Sequence, residues 1–365
     1  MGSVWGNAVK LSIFGESHGG GIGCVLDGFP AGVPYDEAFI LAEMDRRAPG
    51  KNRQSTARRE KDLPKVLSGI FEGKTSGAPI SCVIENTDTR SKDYRNLIEQ
   101  PRPGHADYTG RVRYQGCNDY RGGGHFSGRL TAPLVFAGAM CKLFLRSKGI
   151  EVGSHIAAIG QIMDTPFDDV HVPTELLEKL RTQAYPVINP RAEEAMLAQI
   201  DQAREAQDSV GGIIECAVTG VPVGMGSPML SPVEGRLSSI LFSVPAVKGV
   251  EFGAGFSIAA MRGSEANDCM YLDGDTVKTE TNNNGGILGG ITNGMPIIVR
   301  TAIKPTPSIS REQHTLNLTD QQVEPLVIKG RHDPCIVTRA TPVIEAAVAV
   351  AVTDLYMEAY GYARS

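Results

Sequence analysis

The chain has 365 residues, 41% of them hydrophobic and 21% charged, a balance that belongs to globular proteins and excludes a disordered or collagen-like chain. Its net charge of −5 excludes nucleic-acid binding by overall charge, so basic stretches must act locally. Seven cysteines, an odd number with no C-x-x-C pair, argue for a reducing, cytoplasmic setting rather than a disulfide framework.

Val9 to Phe14 reads as a strand ending at the glycine-flanked turn Gly15-Glu16-Ser17-His18-Gly19. Alternating residues from Gly19 lead to a Gly-x-Pro-x-Gly turn at Gly28, Pro30 and Gly32, which predicts a strand and a turn. Helical patterning follows over 36–47, then strand, glycine turn and strand around Gly69 to Ile80. A helix is expected over 130–148 with Gly149 closing it. Charged surface helices are expected over 174–183 and 190–207, and further helices over 230–241 and 342–359. The best apolar run, Val343 to Val352, is interrupted by Glu345 and falls short of the roughly 18 residues of a spanning helix. The opening residues lack the pattern of a signal peptide, so no membrane association is expected.

The two halves of this order echo each other. Gly19, Gly20, Ile22, Cys24, Gly28, Pro30 and Gly32 recur as Gly211, Gly212, Ile214, Cys216, Gly220, Pro222 and Gly224. Gly69, Ile70, Gly73, Thr75, Gly77, Pro79 and Ile80 recur as Gly286, Ile287, Gly290, Thr292, Gly294, Pro296 and Ile297. A weaker echo sets Arg129 and Thr131 against Arg339 and Thr341. The fold expected is α+β, two halves about a pseudo-twofold axis, fused as one domain over 1–365 with repeats at about 9–150 and 205–360.

Several motifs fail on context. Gly15 to Gly19 fits G-x-S-x-G, but that nucleophile elbow needs a helix next, and Gly20-Gly21-Ile22-Gly23 makes a poor first helical turn. Gly73-Lys74-Thr75 lacks the upstream glycine of a P-loop, since position 68 is Ser68. No dinucleotide fingerprint stands between a strand and a helix, and no Cys/His grouping has zinc-ligand spacing, so no metal is expected.

Four groups survive. The first is the Ser17-His18 turn. Residues 46–61 form the second, with five arginines and two lysines; residues 101–129 form the third, with five arginines, two histidines and seven glycines in 29 residues. The fourth joins Lys304-Pro305-Thr306-Pro307-Ser308 with Gly330-Arg331-His332-Asp333-Pro334-Cys335. Arginine forks bind phosphate and carboxylate, glycine admits a ligand close to the backbone, and histidine exchanges protons near neutrality. Together they imply proton-transfer chemistry on a multiply anionic substrate, with phosphate one candidate leaving group; they do not name the substrate. His155, His171 and His314 lie outside these groups and receive no role.

GESHG, RPGHADYT, YRGGGxxSxR, AVKGVE, GGILGG and GRHDPC stand in this order across nearly the whole chain, and the chain resembles the chorismate synthase family. The resemblance implies a β-α-β sandwich, a homotetramer, and conversion of 5-enolpyruvylshikimate 3-phosphate to chorismate. The reaction is an anti-1,4-elimination that needs reduced FMN, with NADPH as a candidate reductant. It implies that His105 protonates the reduced flavin, that His18 assists phosphate departure, and that Asp333 with Ser17 returns a proton. Arg47, Arg53 and Arg129 would hold substrate anions, Arg47 and Arg53 also matching positions linked to NADP. FMN contacts would fall on His125, Phe126, Ser127, Ala246, Gly289, Lys304, Pro305, Thr306, Pro307, Ser308 and Arg331. Pro245 departs from an asparagine common in the family, and His125-Phe126 from Arg-Ser. The second change puts a titratable group where relatives hold a fixed cation, and predicts a steeper loss of flavin affinity between about pH 6 and 8. The alternatives are a serine hydrolase using Ser17 and a non-catalytic flavin-binding protein.

Overall fold

Strand formation follows apolar alternation: Ile80–Glu85 buries every second residue. The computed structural model describes residues 3–49, 62–87, 97–328 and 333–361. Its main strands form two five-stranded sheets. The first comprises β1 (Val4–Trp5), β2 (Lys10–Gly15), β3 (Gly21–Asp27), β4 (Lys65–Ser68) and β5 (Ile80–Glu85), ordered β1-β2-β3-β5-β4 and antiparallel throughout. The second comprises β6 (Glu151–Ile159), β7 (Ile162–Met163), β8 (Gly212–Thr219), β9 (Val247–Phe252) and β10 (Ile297–Ile303), ordered β9-β10-β8-β6-β7 and also antiparallel.

Eight α-helices are described: α1 (Glu37–Arg47), α2 (Asp107–Arg113), α3 (Thr131–Arg146), α4 (Thr174–Thr182), α5 (Pro190–Glu205), α6 (Val233–Leu241), α7 (Gly263–Ala266) and α8 (Val337–Tyr360). At the start of α1 the Asp36 carboxylate accepts from the Phe39 N–H at 3.0 Å, an N-cap. Gly149 (φ +74°) closes the end of α3, with Ile150 N–H bonded to the Leu145 carbonyl at 3.0 Å. Helix α8 starts five residues before the expected 342. Pro342 forfeits one i→i−4 bond, but Val337 and Thr338 ahead of it are buried and continue the helix.

The same element order occurs twice. β2, β3, α1, β4, a short hairpin (Ile70–Phe71 with Lys74–Thr75), β5 and α3 correspond to β6, β8, α6, β9, a hairpin (Ile287–Leu288 with Ile291–Thr292), β10 and α8. Helices α4 and α5 are inserted between β6 and β8. The echo extends to single hydrogen bonds. Thr75 Oγ1 donates to the Pro30 carbonyl at 2.6 Å and accepts from Val33 N–H at 2.9 Å. Thr292 Oγ1 donates to the Pro222 carbonyl at 2.7 Å and accepts from Met225 N–H at 2.9 Å. Gly28 and Gly220 share φ values of +73° and +74°, and a Cβ on either would lie 2.1 Å from a facing carbonyl oxygen. The matching Gly/Pro/Thr pattern is therefore a matching set of turn contacts.

Helix α3 packs on β3 and β5, α8 on β6 and β8, and the two helices on each other. Both are apolar almost all round, as helices enclosed by other layers must be. The stretches Arg121–Arg146 and Val337–Tyr360 are long and apolar enough to cross a membrane, yet 83% and 89% of their most apolar windows are buried inside the protein.

A buried ion network joins α1, α3 and α8. Lys142 Nζ donates to Glu43 Oε2 at 2.5 Å and also to Glu345 Oε2. Arg46 donates to Glu43 at 3.0 Å and to the two Glu345 oxygens at 2.7 and 2.8 Å, and Ser154 Oγ donates to Glu345 Oε1 at 2.8 Å. Burial alone would raise both glutamate pKa values, but Lys142 and Arg46 outweigh it, so both carboxyls sit below their ordinary range. Lowered carboxyl pKa values supply stability that is present above about pH 4.3 and lost as pH falls through the folded values. Lys142→Met should therefore lower the unfolding free energy by about 3–5 kcal/mol at pH 7. In denaturant melts the gap from the wild type should narrow below about pH 4; a gap independent of pH would show that the network is not the cause.

Candidate active site

Strand β2 delivers the chain into a turn at 16–20 that returns as β3. Ser17 and His18 on this turn are 0% and 8% exposed. Ser17 N–H donates to the Gly124 carbonyl at 3.1 Å, and the Asn86 amide holds the turn by donating to the Glu16 and Gly19 carbonyls at 2.9 and 3.0 Å. A strand follows Ser17 rather than a helix, so the strand-turn-helix context of a hydrolase nucleophile is not met.

The three glycines of 122–124 all have positive φ, at 58°, 83° and 53°, a region that costs L residues about 1–2 kcal/mol. Their packing adds a second reason for glycine. A Cβ on Gly122 would lie 2.2 Å from His18 Cε1 and 3.0 Å from Ser17 Oγ, and one on Gly123 would lie 3.3 Å from His105 Cε1 and Nε2. Consecutive glycines thus bring His18 and His105 to one stretch of backbone.

His105 is oriented from behind. Its Nδ1 lies 2.7 Å from Asp107 Oδ1, which leaves Nε2 on the Gly123 side. Arg102 grips the same carboxylate through Nε at 2.7 Å, Nη2 at 2.8 Å and its own N–H at 3.0 Å. Its Nη1 donates to Ser308 Oγ at 3.0 Å. Burial would raise the Asp107 pKa, but hydrogen bonds from Arg102 and His105 hold it well below the usual carboxylate range. Lys304 Nζ donates to the Gly104 carbonyl, and burial together with Lys248 lowers its pKa. The third and fourth sequence groups therefore meet at His105.

Arg47 and Arg129, expected to hold anions, meet at one carboxylate. Arg47 and Arg129 are 4% and 5% exposed, and their Nη1 atoms donate to Oδ2 and Oδ1 of one carboxylate, Asp62. Arg129 Nε donates to Asn86 Oδ1 at 3.1 Å, which ties it to the Ser17-His18 turn. Arg339 donates to Asp333 Oδ2 at 2.7 Å and to the Arg47 carbonyl at 3.1 Å. Beside this, Arg129 connects through Asn86 to the Ser17-His18 turn, and through Asp62, Arg47 and Arg339 to Asp333.

His125 is exposed, its Nδ1 2.8 Å from the Gly15 carbonyl. The Phe126 ring packs over Gly110, where a Cβ would meet it at 2.6 Å. Ser127 Oγ caps the turn entering α3, accepting from Arg129 N–H at 3.3 Å. Ala246, at φ +74°, connects to the site through its carbonyl, which accepts from Lys304 N–H at 2.9 Å. Thr306 accepts at its carbonyl from Ser209 Oγ at 2.7 Å, between the exposed Pro305 and the part-exposed Pro307. Gly289 is exposed at the tip of its hairpin. Arg53 and Arg331 lie outside the described residues.

Asp62, Asn86 and Arg339 had no assigned role in the sequence reading, and Arg102 and Asp107 entered only as letters of RPGHADYT. The Arg102 to Asp107 spacing across the His105 turn is the one local signal that marks a partner. His155, given no role, is buried between Asp164 and Glu215 at 2.9 Å from each; burial opposes its charge, but the two carboxylates raise its pKa, and its contacts are structural.

Two histidines approach one glycine turn, with buried arginines nearby, an arrangement whose chemistry suits proton exchange with an anionic small molecule. A family model described as Chorismate synthase matches residues 9–357. The chain is 46% identical over 359 residues to the chorismate synthase of Methanocella arvoryzae, covering 97% of this chain and 94% of that one. It is 45% identical to that of Thermococcus kodakarensis, covering 96% of both. A solved structure titled Crystal Structure of Chorismate Synthase superposes with a TM-score of 0.74 at 31% identity, over 97% of this chain and 93% of that one. The chain belongs to the chorismate synthase family and is a lyase.

Gly122→Ala should displace the His18 ring and lower kcat/KM by about 100-fold while the protein still melts cooperatively. Gly128→Ala, where nothing lies within 4 Å of the added carbon, should stay near wild type in the same assay. Equal losses in both variants would mean that the close approach to His18 is not what requires glycine.

Proposed function

We propose that the protein converts 5-enolpyruvylshikimate 3-phosphate to chorismate by anti-1,4-elimination, the last step of the shikimate pathway, with reduced FMN as cofactor. Phosphate leaves C3 and a hydrogen leaves C6, with no net redox change. The observation that carries this reading is the meeting of His18 and His105 on Gly122 and Gly123, between buried arginines and a lysine-bearing segment. The substrate carries a phosphate and two carboxylates, which matches the arginine forks in chemistry.

The residues present fit a flavin phosphate and ring. Thr306 Oγ1 and Ser17 Oγ are buried with no hydrogen-bond partner, in a site where unpaired hydroxyls call for a ligand. Lys304 adds a cation beside Gly104. His125, Phe126, Ser127, Ala246, Gly289 and Lys304 to Ser308 would hold the cofactor, with Arg331. When bound, reduced FMN supplies an electron-rich ring that assists loss of the phosphate.

The chain's own groups do the rest. Arg47 and Arg129 bind substrate anions, joined by Arg53. His18 donates a proton toward the departing phosphate. His105, with Nδ1 fixed on Asp107, exchanges its proton at Nε2. Asp333, held by Arg339, and Ser17 accept the proton returned at the end.

The coarser readings are carried by other observations. The repeated element order supports a β-α-β sandwich with a pseudo-twofold axis, one domain with repeats at about 9–150 and 205–360, the second drawing its first strand from β6. All seven cysteines are free thiols, which supports a cytoplasmic location. We assign a homotetrameric assembly and NADPH as the reductant on family likeness alone.

The test is anaerobic phosphate release from 5-enolpyruvylshikimate 3-phosphate with dithionite-reduced FMN. Release should require reduced flavin and should slow by about 100-fold to 10,000-fold in His105→Ala. Release with oxidised FMN, or none from a folded wild-type protein that binds flavin, would overturn the reading.

A further inference from the structure

We propose that the Asp62 carboxylate is an internal occupant of the substrate's anion site, held between Arg47 and Arg129 until a substrate phosphate or carboxylate displaces it. This rests on the reading of Arg47 and Arg129 as ligands of substrate anions. Asp62 is then a further determinant of substrate affinity, acting as a built-in competitor.

The geometry is that of a bound anion. Each Asp62 oxygen faces a different guanidinium, and the three side chains are 0%, 5% and 3% exposed for Asp62, Arg47 and Arg129. The arginines do not depend on Asp62 for their placement. Arg47 Nε donates to Thr131 Oγ1 at 3.1 Å and its Nη2 to the Gly128 carbonyl at 3.4 Å. Arg129 Nε donates to Asn86 Oδ1 at 3.1 Å and its Nη2 to the Glu85 carbonyl at 3.4 Å. These framework bonds keep both forks aimed at one place, and Asp62 supplies only the Nη1 contacts.

Charge points the same way. Among the described residues, Arg47 and Arg129 share the one carboxylate of Asp62, while Arg339 holds Asp333. Burial depresses the Arg47 pKa, and repulsion from Arg339 and Arg129 adds to it against the pull of Asp62, to about 10. A phosphate offers two guanidinium forks more acceptor oxygens than one carboxylate does. Asp62 also reaches its position from a backbone at φ 47°, a left-handed conformation that costs about 1 kcal/mol. Leaving that conformation offsets part of the cost of parting from the arginines.

A competitor that must leave reduces apparent affinity by the fraction of time the site is closed. Titration calorimetry with inorganic phosphate, and with 5-enolpyruvylshikimate 3-phosphate, should give Kd values about tenfold tighter in Asp62→Asn and Asp62→Ala than in the wild type. Phosphate should also raise the Tm of both variants more than that of the wild type. Unchanged or weaker binding in cooperatively melting variants would overturn the proposal. Should neither variant fold, crystals of the wild type soaked with the substrate decide it: Asp62 parted from both arginines supports displacement, and substrate bound with Asp62 still bridging them refutes it. Arg129→Gln separates the two readings. Unchanged substrate affinity there removes the arginines from the substrate site, whereas weakened affinity without tightening in the Asp62 variants removes the displacement alone.

Discussion

Glu43 and Glu345, each with at most 2% of its side chain exposed, lie between Arg46 and Lys142 in the middle of the protein. Two buried carboxylates cannot sit together without cations, and the cations cannot be withdrawn from water without them. The four residues come from α1, α3 and α8, so the network sets how these helices lie against one another. Each of those helices then ends or begins at the candidate active site. Arg47 follows Arg46 at the end of α1, Arg129 and Thr131 open α3, and Asp333 and Arg339 open α8. A shift of one helix relative to the others would spoil the core ion pairs and the anion site together.

The glycine turn at 122–124 applies a second constraint of a different kind. The ion network positions helices, whereas the turn removes side-chain volume so that His18 and His105 can reach the same backbone. Asp107 and Arg102 then fix which His105 nitrogen faces that backbone. The buried carboxylate does not need to titrate to do this. Held low by Arg102, it stays an acceptor across the pH range in which histidine exchanges protons.

Much of the fold was legible because duplication repeats its turn chemistry in the sequence. Gly28 and Gly220, Thr75 and Thr292, and the prolines they meet are conspicuous residue types whose roles are local. The histidines and arginines of the site were legible for a related reason: they cluster along the chain and match a family pattern. Asp62 and Asn86 were not. Asp62 stands beside a run of basic residues as an ordinary surface acid would, and only the folded chain places it between Arg47 and Arg129, 15 and 67 residues away in sequence. Asn86 reads as a residue after a strand, yet it links Arg129 to the turn of Ser17 and His18. Roles made of long-range contacts leave no periodic trace, and neither did the ion network, whose Glu345 merely interrupts an apolar run.

Duplication also explains why there is one composite site here and not two separate ones in the contacts described. Arg129 and Arg339 are matching positions at the entries to α3 and α8, and those helices pack on each other. Their starts therefore converge, and each arginine meets an acid from outside the shared pattern: Asp62 for Arg129 and Asp333 for Arg339. The two copies have kept the cation and diverged in what it holds. In the first half it holds Asp62 and, through Asn86, the Ser17-His18 turn. In the second it steadies Asp333 and, through the Arg47 carbonyl, the end of α1. Arg339 is engaged by Asp333 and by a backbone carbonyl, so the two equivalent cations do not face the same partner. Giving one of them a structural partner turns a symmetric pair of helix starts into a site with distinct sides, as an elimination with different groups leaving two carbons requires.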